Sequence, residues 1–147
     1  MAGLDQAAID GITAGAASWL PEACRFSKEH EWARAVGAGV VWVGITDYAA
    51  GELGAVVFVS LPQPGRTLGQ FDQRGEIESV KAVSDLFAPV RGEVVAVNDA
   101  LLQQPELVNQ SAFGAGWMLG VRLANPAELD ALMDHAAYSA YLAGLSH

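Results

Sequence analysis

The apolar residues of this chain come in short β-branched and aromatic runs cut apart by Gly and Pro, and that pattern constrains the fold more than any other feature. Val40-Val41-Trp42-Val43-Gly44-Ile45 and Val56-Val57-Phe58-Val59 are the plainest cases. Such runs fit a pleated surface and are bounded as strands are bounded. Pro62, Pro64 and Gly65 then force a loop, and further strands are expected around 75–80, 83–88, 92–97 and 118–123. A chain of 147 residues, 52% apolar and 17% charged, can close one core and is too apolar to stay disordered. The 16 glycines spread along it suit many turns. A mostly β domain follows, a small barrel or sandwich with no long repeat or linker.

Helical signals are short and lie between the strands. Thr46 precedes Asp47-Tyr48-Ala49-Ala50 as an N-cap would. Asn98 and Asp99 open a second helical segment, which Pro105 interrupts. Asn125-Pro126-Ala127-Glu128 reads as a capping box, with Glu128 reaching back to the cap. Leu129, Leu132, Met133, Ala136, Ala137, Ala140 and Tyr141 then predict one C-terminal helix laid on the sheet. Residues 1–25 form an N-terminal extension, with 26–147 as the folded domain. In the extension Leu4, Ala8, Ile12, Ala16 and Trp19 recur at helical spacing, although Gly11 and Gly15 weaken a helix there. It reads as a marginal helix or arm packed on the body, with a partner-binding helix as the alternative.

Charge narrows the function classes. The chain has 17 acidic and 8 basic residues, a formal charge of −9, which disfavours nucleic acid and anionic membranes and suits partners with basic patches. No apolar run approaches a bilayer span. The lone Cys24 fits a reducing compartment. The first 23 residues carry Asp5, Asp10 and Glu22 and no basic residue, unlike a secretory or transit segment, so a cytoplasmic location is expected. His135 and His147 have no partner at metal spacing, and Ser79, Ser84 and Cys24 lie in no nucleophile motif. No metal site and no catalytic residues are expected.

Only two lysines are present, Lys28 and Lys81. Lys81 falls between the runs that hold Ile77 and Val80 on one side and Val83 and Leu86 on the other, so it should sit at the tip of a tight hairpin. Glu78 and Asp85 flank it. That placement suits the origin of a swinging arm; taken alone, it is also that of an ordinary exposed turn lysine.

The run Glu78-Ser79-Val80-Lys81-Ala82-Val83-Ser84-Asp85, followed by Ala88-Pro89-Val90-Arg91-Gly92-Glu93-Val94, closely resembles the lipoyl-attachment hairpin of glycine cleavage system H proteins. Phe26-Ser27-Lys28-Glu29-His30-Glu31-Trp32, Val43 to Ala49, Leu53 to Pro62, Pro105 to Gln110, Gly116-Trp117-Met118 and Pro126 to Leu129 resemble further blocks of that family, in the same order. The likeness spans roughly residues 26–142. The chain departs from the family's usual pattern in its longer N-terminal arm, at Glu76 and at Gln73-Arg74-Gly75.

The resemblance implies a barrel-sandwich hybrid of the lipoyl and biotinyl type and a lipoate bound covalently at Lys81. It implies a non-catalytic carrier that shuttles an aminomethyl group between glycine decarboxylase, aminomethyltransferase and dihydrolipoyl dehydrogenase, after a lipoate-attaching enzyme has loaded it. Related proteins park the loaded arm in a surface cleft where acids meet its ammonium, and the matching positions are Glu31 and Asp85. His30 is expected to brace the strand that bears Glu31. An H-like lipoyl carrier in lipoate relay or sulfur metabolism is the alternative. A biotinyl domain fits less well, since such domains usually place Met on both sides of the lysine and here the neighbours are Val80 and Ala82. Gly92 is expected to supply a strained turn conformation that holds the hairpin.

Overall fold

The computed structural model describes residues 3–15, 19–71 and 73–145. The strands there are Arg25–Phe26 (β1), Glu31–Gly37 (β2), Val40–Ile45 (β3), Val56–Ser60 (β4), Thr67–Leu68 (β5), Gln73–Ser79 (β6), Val83–Phe87 (β7), Gly92–Val97 (β8) and Leu119–Leu123 (β9). They form two antiparallel sheets, ordered β1-β2-β3-β9-β8-β5 and β4-β6-β7. This is the mostly β, barrel-sandwich arrangement expected from the runs, with every strand expected from them in place.

Strand β3 explains how one sheet carries two cores. All of its residues are buried, and the alternation along it sorts them. Val41, Val43 and Ile45 face the first core, between the sheets, with Val59, Ile77 and Leu86 of the smaller sheet. Val40 and Trp42 belong to a second core on the other side, with Phe26, Trp32, Val95, Trp117 and Tyr138. There Trp42 stacks on Trp117 with ring centroids 4.5 Å apart. A strand covered on both faces reads as a continuous apolar run, which is what residues 40–45 are.

Helices cover this second core. Helix α1, Gln6–Thr13, is capped by Asp5, whose side chain accepts from the Ala8 N–H at 2.8 Å. Leu4, Ile9, Ile12 and Trp19 pack on the core, and the Leu4 N–H bonds the Val95 carbonyl at 2.7 Å. The packed stripe therefore runs through Ile9, while Ala8 is exposed; Ala16 lies outside the described residues. Its apolar face is used within the chain, as a packed arm would use it. Helix α2, Asp47–Leu53, begins at the Thr46 cap, and the short helices α3, Ala100–Gln103, and α4, Leu107–Gln110, are parted around Pro105 as expected.

Three expectations are corrected. The C-terminal segment is two helices, α5 (Ala127–Ala131) and α6 (His135–Gly144). Met133 leaves the helix to exchange two backbone hydrogen bonds with Phe26, of 2.8 and 2.9 Å, and Asp134 caps the next one. Pairing to a strand end satisfies the backbone groups that a continuous helix would have satisfied. Glu128 does not reach back; its carboxylate accepts from the Arg91 N–H at 2.7 Å and lies 3.6 Å from the Arg91 Nε. Gly92, for its part, has no left-handed backbone. It opens β8, and a Cβ there would run into the Arg122 carbonyl oxygen and the Val121 side chain. It is glycine because two strands approach closely, not because a turn needs it.

Candidate functional site

The smaller sheet places Lys81. Strands β6 and β7 pair Glu76 with Asp85, Ile77 with Ser84 and Glu78 with Val83, leaving Val80, Lys81 and Ala82 as the turn. Ser79 closes it. Its N–H donates to the Ala82 carbonyl at 2.8 Å, and its Oγ accepts from the N–H groups of Ala82 at 3.0 Å and Lys81 at 3.3 Å. The Val80 N–H bonds the Ala55 carbonyl at 3.1 Å, tying the tip to the loop after α2. Lys81 is thus exposed on a backbone fixed from two sides. Its side chain runs over Gly54, where an added Cβ would lie 3.4 Å from the Lys81 Cε. Gly54 also ends α2 at φ +78°, so glycine suits both the backbone and the close pass.

Beside this hairpin a cleft of about 340 Å³ opens between α2 and the two sheets, lined among others by His30, Glu31, Glu52, Leu53, Ile77 and Asp85. The structure therefore brings Glu31 and Asp85 to one cleft. Lys81 does not line it; its side chain lies on Gly54, the residue after Leu53.

Glu31 is more deeply placed than its sequence position implies, 1% exposed at the start of β2. Its Oε1 accepts from the Ser27 Oγ at 2.5 Å, and the backbone N–H of Phe87, on β7, is near enough to favour the charged carboxylate. Burial pushes its pKa up to about 8, against the opposing effect of the Ser27 hydroxyl and the Phe87 N–H, so the carboxyl holds a proton at neutral pH. Asp85 is exposed.

His30 is a brace. It sits at φ +69°, its ring Nδ1 lies 2.8 Å from the Tyr138 hydroxyl, and that hydroxyl lies 2.8 Å from the Thr46 Oγ1. Its carbonyl accepts from the Thr46 N–H at 2.9 Å. Burial lowers its pKa. Helix α6, α2 and the turn before Glu31 are locked together through these groups. Cys24 is buried, with its thiol pushed up to about 11 by burial, so it is no nucleophile at neutral pH. Among the described residues no group of side chains could hold a metal ion, and no helix is long and apolar enough to cross a membrane; His147 lies outside them. Sequence reasoning passed over Ser27, Ser79, Tyr138 and the Phe87 N–H. Of these Ser79 had a visible signal, a serine two and three residues before the amides it accepts from.

The proton on Glu31 has a stability consequence. The unfolded carboxyl ionises near its ordinary 4.5 and the folded one near 8, so the folded state binds more protons between those values. Stability is then fully present below about pH 4.5 and is lost as pH rises through about 8. Relative to Glu31→Gln, wild-type stability should fall across pH 5–8 by up to about 1.4 kcal/mol per pH unit. Urea melts of both proteins at several pH values test this; a difference that stays constant with pH would show that the carboxyl is ionised throughout.

The family model described as glycine cleavage H-protein matches residues 24–144. The glycine cleavage system H protein of Symbiobacterium thermophilum is 53% identical over 122 residues, covering 83% of this chain and 94% of that protein. Glycine cleavage system H protein 2 of Pseudomonas putida is 49% identical over 123 residues, covering 84% and 96%. Among solved structures, a glycine cleavage system H protein from Mycobacterium marinum superposes with a TM-score of 0.77 at 34% identity, over 84% of this chain and 99% of that one. With the two-sheet fold and the lysine-tipped hairpin already in place, these matches settle the matter: the chain belongs to the glycine cleavage H-protein family.

Proposed function

We propose that this protein is the lipoyl carrier of glycine cleavage, with lipoate attached through an amide to the Lys81 Nζ. The observation that carries the reading is the tip of the β6–β7 hairpin, where an exposed lysine stands on a turn held by Ser79 and by Ala55. A long flexible arm needs such an origin, fixed at its base and open at its end. The residues fit the group: Lys81 would hold it, and the neighbouring cleft offers Leu53 and Ile77 to its apolar part and two carboxyl groups to its cargo. When bound, lipoate supplies the sulfur that carries an aminomethyl unit. The carrier domain is residues 26–147, with residues 1–25 an extension that lies almost wholly before the family match. The protein acts in the cytoplasm as a carrier and not as an enzyme, loaded by glycine decarboxylase, unloaded by aminomethyltransferase and reoxidised by dihydrolipoyl dehydrogenase, after a lipoate-attaching enzyme has formed the amide.

In this reading Glu31 and Asp85 retain the cargo's amine. Glu31 keeps a proton on its carboxyl until a base enters the cleft, then cedes it, leaving a carboxylate beside an ammonium. A charge-assisted hydrogen bond of that kind is worth about 1.5–3 kcal/mol. Protonation also ties up the nitrogen lone pair that would otherwise expel the sulfur. Glu31→Gln can neither give the proton nor bear the charge, and should speed ammonia release from aminomethyl-loaded protein by roughly tenfold or more. Asp85→Asn should do so more weakly, because its carboxylate is exposed and screened. Neither change should slow attachment at Lys81. Ammonia release timed for the three loaded proteins is the measurement; equal rates would remove both acids from the role.

The wider reading is tested by incubating lipoylated protein with glycine and glycine decarboxylase and following intact mass. A gain of one aminomethyl group is expected. Lipoylation at Lys81 without that gain would favour an H-like carrier of lipoate relay or sulfur metabolism.

A further inference from the structure

The loop that meets the hairpin tip is itself held from outside its sheet. Strand β4 is an edge of the smaller sheet, so its outward backbone groups have no strand partner and must find one elsewhere. Asn109, on α4, supplies it at the start of the strand. Its Oδ1 accepts from the Val56 N–H at 2.9 Å, and its Nδ2 donates to the Gly54 carbonyl at 2.8 Å and lies 3.5 Å from the Ala50 carbonyl. Ala55, between the two residues that Asn109 grips, gives its carbonyl to the Val80 N–H at 3.1 Å. The Lys81 methylenes run over Gly54. One amide side chain therefore fixes both the residue that ties the tip and the surface on which the lysine lies. Ser79 closes the turn from within the hairpin, whereas the Ala55 tie comes from without and is only as firm as the loop that carries it.

We propose that Asn109 is a positioning residue for the acylation of Lys81, acting through residues 54–56 and not on the reacting atoms. The proposal rests on Lys81 being the attachment site. In the step served, the Lys81 Nζ attacks the acyl carbonyl of lipoyl-adenylate, made from lipoate and ATP. The N–C bond forms, AMP leaves with the electrons of the broken C–O bond, and the amine gives a proton to base. Such an attack needs the two atoms in near contact along a defined direction, and misplacement by about 1 Å can cost on the order of a hundredfold. The lysine stem is flexible, so its backbone origin and the surface beneath it set where the amine is found. With Asn109 lost, the Val56 N–H and the Gly54 carbonyl turn to water, the loop gains other positions, and the Val80 tie loosens with it. The pairing of β6 with β7 and the Ser79 clasp remain, so the hairpin still forms. What falls is the fraction of time that the amine stands where the acyl carbonyl meets it. That loss arises within the bound complex, so it lowers kcat and leaves KM in place.

The experiment is acylation by a purified bacterial lipoate–protein ligase with lipoate and ATP, with kcat and KM for the folded carrier measured separately, beside amide hydrogen exchange. Asn109→Ala should lower kcat roughly tenfold and keep KM within about twofold. It should also speed exchange at the Val80 N–H, tied from without, and leave the Ser79 N–H, clasped to Ala82 within the turn, at its wild-type rate. Asn109→Asp keeps an acceptor for the Val56 N–H and gives up both donors, so kcat should fall by less, roughly threefold. That variant decides the question by the same two readouts if Asn109→Ala does not fold. Ser111→Ala removes a hydrogen bond to the Ala115 N–H from the same end of α4 and should leave kcat and Val80 exchange as they are. An unchanged kcat, or a lowered kcat with Val80 exchange unmoved, overturns the positioning role and leaves the attachment site standing. A raised KM with kcat kept makes Asn109 a contact of the ligase and overturns it too, and a kcat loss shared by Ser111→Ala reduces Asn109 to general support of α4. Wild-type protein not acylated at Lys81 brings down the attachment site and the positioning role with it.

Discussion

Lys81→Arg should take up no lipoyl group and carry nothing, while folding as the wild type does. The guanidinium keeps the charge and nearly the length of the ammonium, and Lys81 makes no hydrogen bond through its side chain among the described residues, so stability should change by less than about 0.5 kcal/mol. Acylation, by contrast, is lost outright, because a delocalised guanidinium does not act as the amine nucleophile. Lys28 cannot substitute. It lies in the turn between β1 and β2, where its carbonyl accepts from the Tyr141 hydroxyl at 3.3 Å, and it has no hairpin of its own. Intact mass and peptide mapping after co-expression with a lipoate ligase check this. A lipoyl group found on Lys28, in wild type or variant, would overturn the assignment.

Gly92→Val should destabilise the fold more than any of the other substitutions, for a reason opposite to the one its sequence context suggests. Gly92 pairs with Leu68 on β5 and Leu123 on β9. Its α carbon faces the backbone of Arg122 so closely that a side chain cannot enter without separating β8 from β9. Overpacking against flexible side chains costs about 1–3 kcal/mol, and displacing backbone in a central strand pair should exceed that, by roughly 3 kcal/mol or more. The damage is to the larger sheet, whereas Lys81 stands on the smaller one. Molecules that remain folded should therefore be lipoylated at the wild-type rate. Denaturant melts give the first quantity and acylation rates, normalised to the folded fraction, the second. A small loss of stability, or slow acylation of folded protein, would contradict this account.

Much of the fold was legible because it depends on neighbours in the chain. The runs at 40–45 and 56–59, the Thr46 cap and the break at Pro105 are each set by residues within a few positions, where β-branching, capping oxygens and a missing N–H act directly. The lysine between two short strands belongs to the same class, and so does the order of blocks that marks the family. Tertiary structure decided what depends on approach from a distance. The continuous C-terminal helix was a sound local reading until Phe26 offered Met133 a backbone partner. Gly92 looked like a turn residue until β9 came to lie against it. Glu31 shows the difference most sharply. Its place in His30-Glu31-Trp32 says that it is acidic and near a strand start. That it is buried, bonded to Ser27, influenced by the Phe87 N–H of the other sheet, and protonated at neutral pH, follows from burial and long-range contact. The sequence by itself determined which groups the protein carries and which strands hold them. The packing of one sheet on the other decided which of those groups meet, and in what charge state, because solvent exclusion is a property of the assembled fold and of no segment alone.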